Sequence, residues 1–171
     1  MRLFALLVIS PLATLGGCGG VTAESPLTVS LGIPRDQARI ALEHHKYCRK
    51  QDGPPQKTET FVRCDRPGLE WGESWVVAHY DGDTLVELKR YERFSDDARA
   101  VERWNQLVEA RTKVTPMSAE ADRVLRDKLL EPGTRTVKAF RVDAGTLAGV
   151  YLLTPTPPED ASILEAIIRI R

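Results

Sequence analysis

Two β-rich runs, Ser74 to Tyr80 and Thr84 to Tyr91, stand on either side of Asp81-Gly82-Asp83. An Asp-Gly pair between such runs supplies the backbone conformation that a tight hairpin turn demands. The chain therefore has to build an antiparallel sheet around this point, because hairpins and not long crossovers join its strands. With Asp81-Gly82 as a two-residue loop, Trp75 faces Leu88, Val77 faces Val86 and His79 faces Thr84. The opposite side then carries Val76, Ala78, Leu85, Glu87, Lys89 and Tyr91, which is more apolar than a fully solvated face should be. Either the rest of the domain covers it, which is the preferred expectation, or Val76, Ala78, Leu85 and Tyr91 form a docking patch.

The remaining elements follow from period and punctuation. Pro34 suits a first helical turn, and Ala38, Ala41, Leu42, His45 and Cys48 recur at helical spacing, predicting a helix over 34–47. Asp52-Gly53-Pro54-Pro55 breaks it, and Thr58 to Cys64 reads as a short strand. Ser95-Asp96-Asp97 is a helix start, with acidic side chains at the positive end of the dipole. Val101, Trp104, Leu107 and Val108 then mark one face of a helix to about residue 113. Ser118 caps a second helix through Ala121, Val124, Leu125 and Leu129, closed by Pro132-Gly133. Arg135 to Val142 and Thr146 to Leu153 flank a turn at Asp143-Ala144-Gly145, and alternation from Leu164 to Ile170 predicts a last strand. The order is α-βββ-αα-βββ: an α+β domain over 32–171, its antiparallel sheet or sheets covered by helices on one face. Both halves, 32–94 and 95–171, share a helix-then-strands order.

The amino terminus addresses the chain rather than folding it. Met1-Arg2, an apolar stretch from Leu3 to Leu15, and small residues before Cys18 have the form of a secretory signal. The apolar stretch is shorter than the roughly 20 residues a spanning helix needs. Leu15-Gly16-Gly17-Cys18 resembles the lipobox of bacterial lipoproteins. The resemblance implies removal of residues 1–17, a diacylglyceryl thioether on Cys18 and an acylated new terminus, with palmitate-like chains as the anchor. Two or more chains at about 0.8 kcal/mol per CH₂ hold stably where one is marginal. Gly19 after the cysteine implies sorting to the outer membrane, facing the periplasm. Residues 18–31 then read as lipidated cysteine and flexible tether, about 45 Å at full stretch. The layout is also similar to small envelope lipoproteins of the SmpA/OmlA (BamE) type and to the β-lactamase-inhibitor-like fold, with Gly32-Ile33-Pro34-Arg35-Asp36-Gln37-Ala38 resembling the glycine-led start of their first helix.

Charge gives no hint of a nucleic-acid partner, since 24 basic residues balance 24 acidic ones and are interspersed along the chain. In an oxidising compartment Cys48 and Cys64, the pair left once Cys18 is lipidated, are expected to form a disulfide. The rival reading places His44 and Cys48 on one helix face as ligands for zinc or copper(I), in a metal-handling lipoprotein. Neither a Gly-x-Ser-x-Gly turn nor a phosphate-cradling glycine loop is present, so the other rival, an envelope hydrolase, would need a nonstandard site. Trp71 in Leu69-Glu70-Trp71-Gly72 is the best candidate for an exposed aromatic contact. These features describe a non-enzymatic, cofactor-free module, tethered to the membrane through Cys18, that binds, scaffolds or inhibits another envelope protein. Its candidate contacts are Trp71, Val76, Leu85 and Tyr91.

Overall fold

The computed structural model describes residues 27–50, 53–65, 74–128, 131–154 and 161–170. Its elements are α1 (Arg35–His44), β1 (Tyr47–Arg49), β2 (Thr58–Arg63), β3 (Ser74–Asp81), β4 (Thr84–Phe94), α2 (Asp97–Val114), α3 (Ala119–Lys128), β5 (Thr134–Asp143), β6 (Thr146–Leu153) and β7 (Ala161–Arg169). The strands form one antiparallel sheet in the order β1-β2-β3-β4-β7-β6-β5. Two meanders, one from each half of the chain, thus meet through their last strands.

This arrangement corrects the expected α-βββ-αα-βββ order, which becomes α-ββββ-αα-βββ. Helix α1 stops at His44, and Lys46 takes a left-handed φ of 64°. The chain reverses there, and Tyr47–Arg49 adds an edge strand beside β2, with Tyr47 opposite Arg63. Three residues are too few to display a strand period, so helical spacing through Cys48 overran the boundary.

Placement of all helices on one face is corrected too. Register places Val76, Ala78, Leu88, Arg90, Glu165, Ile167, Val150 and Ala148 on one side of the sheet, where α1 and α2 pack. On the other side α3 sets Ala121 and Leu125 against Val137, Ala139, Leu147 and Tyr151. Every residue of β6 is buried, so that half of the sheet needs cover on both sides.

The central hairpin has a different register from the one expected. Its turn residues are Gly82, at φ +61°, and Asp83; Trp75 faces Tyr91, Val77 faces Lys89 and His79 faces Glu87. A register shift after His79 leaves Val86 as an extra residue and brings Leu85 opposite Tyr80. Such a bulge shifts the alternation by one residue. Leu85 and Leu88 consequently share the buried face with Val76, Ala78 and Tyr80, while Tyr91 lies on the other.

Residues 27–31, expected to be tether, belong to the fold. Leu27 and Val29 are buried beside Ala38 and Leu42, Leu31 packs against the clusters under both α1 and α2, and Thr28 and Ser30 face outward. This extended strap ends at Gly32, whose N–H donates to the Leu85 carbonyl at 2.8 Å. Its φ of +86° makes the turn into α1. Without a continuous apolar run or a partner strand adjacent in sequence, Leu-Thr-Val-Ser-Leu reads as linker until the sheet supplies a groove.

Candidate functional site

Beneath α1 and α2, three buried charges meet where the two meanders join. Arg90 of β4 and Glu165 of β7 are cross-strand neighbours, and the guanidinium contacts the carboxylate directly. Arg111 of α2 reaches the same carboxylate at 2.6 Å and donates to the Leu27 carbonyl at 3.1 Å. Glu165 also accepts the Leu27 N–H at 3.2 Å. Burying three charges costs desolvation, which the ion pairs and the hydrogen bonds to both carboxylate oxygens offset. Alongside it Arg103 of α2 clamps Glu92 of β4 with bonds of 2.8 and 2.9 Å. Burial pushes the Glu92 carboxyl up, yet Arg103 and Arg90 more than offset this and hold it below the usual range. His45 closes the other flank, 3.4 Å from the Thr28 hydroxyl. Burial, with Arg90 nearby, favours its neutral imidazole.

A second charged cluster lies at the start of α1. Arg35 covers the Tyr80 ring at 3.9 Å and donates to Glu59, Asp83 and the carbonyls of Gln56 and Gly82. Arg39 binds the same Glu59 at 2.7 Å, and Arg49 lies 3.6 Å from it. Burial opposes ionisation of Glu59, but these arginines keep its carboxyl below the ordinary value. The adjoining cleft, about 480 Å³, is lined by Arg35, Pro55, Gln56, Lys57, Tyr80 and the turn Asp81-Gly82-Asp83. Its main cation is engaged by the protein's own acceptors, and burial pushes the Tyr80 phenol up to about 12. The group is therefore a poor proton acceptor near neutrality, and the cluster reads as a brace on the hairpin turn.

Among the described residues no helix packs on the outer face of β2, β3 and β4. It presents Val62, Trp75 and Tyr91 in one cross-strand row and Thr60, Val77 and Lys89 in the next, all half-buried. Trp75 and Tyr91 stack with centroids 5.2 Å apart, and the Arg93 guanidinium lies 5.4 Å from the Trp75 ring centroid. With a ring face of Trp75 against Tyr91, this row is less a platform for stacking a flat ligand than a ridged apolar surface. Lys89 pairs with Glu87 at 2.9 Å and with Glu131 at 2.6 Å, which marks its border toward α3.

The residues singled out from sequence fall differently. Cys48 and Cys64 are joined, with Cα atoms 5.4 Å apart, tying β1 to the end of β2. Cys48 therefore offers no thiolate to a metal with His44, and the described residues contain no group of three or more His, Cys, Asp or Glu side chains able to hold one. Val76 and Leu85 are fully buried under α1, the cover within the domain that was preferred, so the alternative docking patch with Tyr91 is not on the surface. Cys18 and Trp71 lie outside the described residues. For a hydrolase, the Ser74 hydroxyl meets Tyr47 at 2.6 Å, but burial raises that phenol and keeps it protonated, so it cannot take the serine proton near neutrality. Thr58 and His79 are 2.9 Å apart on the open strand face, away from the cleft. Glu165 and Arg90 escaped the sequence reading, since nothing in a strand pattern distinguishes a buried Glu or Arg from one on a solvated face, whereas the stem of Arg111 was legible on the apolar face of α2 but its partners were not. Comparison with known proteins finds no matching family model, no matching curated protein and no matching solved structure.

Proposed function

We propose that this chain is a lipid-anchored envelope protein, attached through Cys18 to the outer membrane and facing the periplasm, whose domain binds another envelope protein without catalysing a reaction. The outer sheet face around Val62, Trp75, Val77 and Tyr91 is the observation that carries the binding reading. It is half-buried, ridged by aromatic side chains and bordered by charge, as protein interfaces commonly are. Attachment by lipid is supported by the lipobox-like start. No helix among the described residues is long and apolar enough to cross a membrane. The Cys48–Cys64 bridge fits an oxidising compartment.

Two measurements test the parts separately. Palmitate labelling of the wild type and of Cys18→Ser reads the anchor, and equal labelling of both rejects it. A photo-crosslinking side chain at Val77, compared with one at exposed Val142, reads the face. Crosslinking to an envelope protein at Val77 alone supports the binding reading, and equal or no crosslinking at the two sites refutes it.

A further inference from the structure

The groove that holds residues 27–31 is built like a peptide-binding site. Its walls are α1 and α2, its floor includes Leu85 and Leu88, and it takes an extended chain whose alternate residues Leu27, Val29 and Leu31 turn inward. At one end Glu165 and Arg111 read the N–H and C=O of a single residue, Leu27. That mode recognises backbone and asks of the side chains only that they alternate. Among the described residues the backbone groups of Val29, Ser30 and Leu31 make no hydrogen bond, so between Leu27 and Gly32 the strap is held by apolar burial and the exposed contact of Thr28 with His45. The Arg111 Nε–H is buried and donates to no acceptor, although its neighbouring nitrogen serves the groove.

We propose that this groove binds, in trans, an extended segment of a partner protein with apolar residues at alternate positions, and that residues 27–31 are a displaceable occupant competing with it in cis. The Arg90–Glu165–Arg111 cluster makes the exchange feasible, because the carboxylate stays paired with both arginines when the strap leaves. The idea is independent of whether Cys18 carries lipid.

Thiol-modification rates on the mature chain provide the test, with the native disulfide intact and Cys18 replaced by Ser. Val29→Cys places a buried thiol on the strap, and Ala139→Cys places one under α3 on the opposite side of the sheet. Local release of the strap should make the first react at least about tenfold faster than the second without denaturant. A synthetic Pro26–Gly32 peptide should accelerate modification of Val29→Cys further by blocking reclosure. The same peptide with aspartate in place of Leu27 and Val29 should not. Equal rates at the two sites, or no effect of the first peptide, would overturn the proposal. So would a wild-type dimer that Val29→Asp converts to a monomer, since the groove would then serve a second copy. These readouts do not involve the outer sheet face, so their failure leaves the Val77 crosslinking result standing, and the converse.

Discussion

Glu165 accepts the backbone N–H of Leu27, 138 residues earlier in the chain, at 3.2 Å. Arg111 completes the contact by donating from one nitrogen both to that carboxylate and to the Leu27 carbonyl. One buried charge from the last strand therefore joins the strap at residues 27–31, the long helix and, through Arg90, the first meander. Glu165→Gln should cost about 3–5 kcal/mol, because two buried guanidinium groups lose their shared counter-charge. Urea unfolding at neutral pH measures it, and a loss under 1 kcal/mol would show that the cluster is not the joint described here.

Acid should loosen the domain in two stages. His45 has a depressed folded-state pKa, so its contribution is present above the ordinary imidazole value of 6.5 and lost as pH falls below it. Glu59 and Glu92 are likewise depressed from 4.5, and their contribution disappears only at lower pH, as their folded values are crossed. His45→Gln should remove the first stage and leave the second. Urea midpoints between pH 7 and pH 3 for both proteins would show whether the stages separate.

Replacing both Cys48 and Cys64 by Ser should destabilise the domain by about 3 kcal/mol, the chain-entropy value for a loop of this size. The fold should persist, since β1 also pairs with β2 along its length. Comparing unfolding midpoints of wild type and double variant checks the magnitude, and circular dichroism checks the sheet.

Gly149 lies where β6 passes under α3. A Cβ there would stand 2.7 Å from Tyr151 Cε2 and 2.8 Å from Leu125 Cδ1. Both side chains are fully buried, so neither can move away cheaply. Gly149→Ala should therefore cost about 1–3 kcal/mol as overpacking, although alanine is ordinarily the better strand residue. A neutral or stabilising result would mean that α3 packs more loosely than described.

Leu85→Asp and Val77→Asp separate core from surface on the same hairpin. Leu85 is fully enclosed, and burying a charge there should unfold the domain or cost over about 4 kcal/mol. Val77 is half-buried on the face away from α1 and α2, so its aspartate variant should keep most of its stability while weakening partner crosslinking from a reporter at neighbouring Thr60. Similar melting temperatures for the two variants would contradict this assignment of faces.

Several features were legible from local chemistry alone. Asp96 caps α2 by accepting the Ala98 N–H, Ser118 does the same for Ala121 at the start of α3, and Asp143 bonds the Gly145 N–H in its turn. Each depends on side chains within three residues of the backbone group they satisfy, so sequence neighbours suffice. The Cys48–Cys64 pairing was legible as well, since it was expected from the signal-like amino terminus and required no geometry.

What stayed hidden depends on residues far apart in the chain. One extra residue at Val86 exchanged the faces of β4 beyond it, and the register that requires the bulge is set only when β3 and β4 pair. Leu27, Val29 and Leu31 look like linker until α1, α2 and β7 form a groove for them. Glu165 and Arg90 have the strand positions of ordinary surface charges, and only the helices above remove them from water. Sequence determined where elements start and turn, since those choices are made by neighbouring atoms. Tertiary structure decided which faces are buried and where the strap lies, since burial is a property of the assembled sheet and helices and not of any segment.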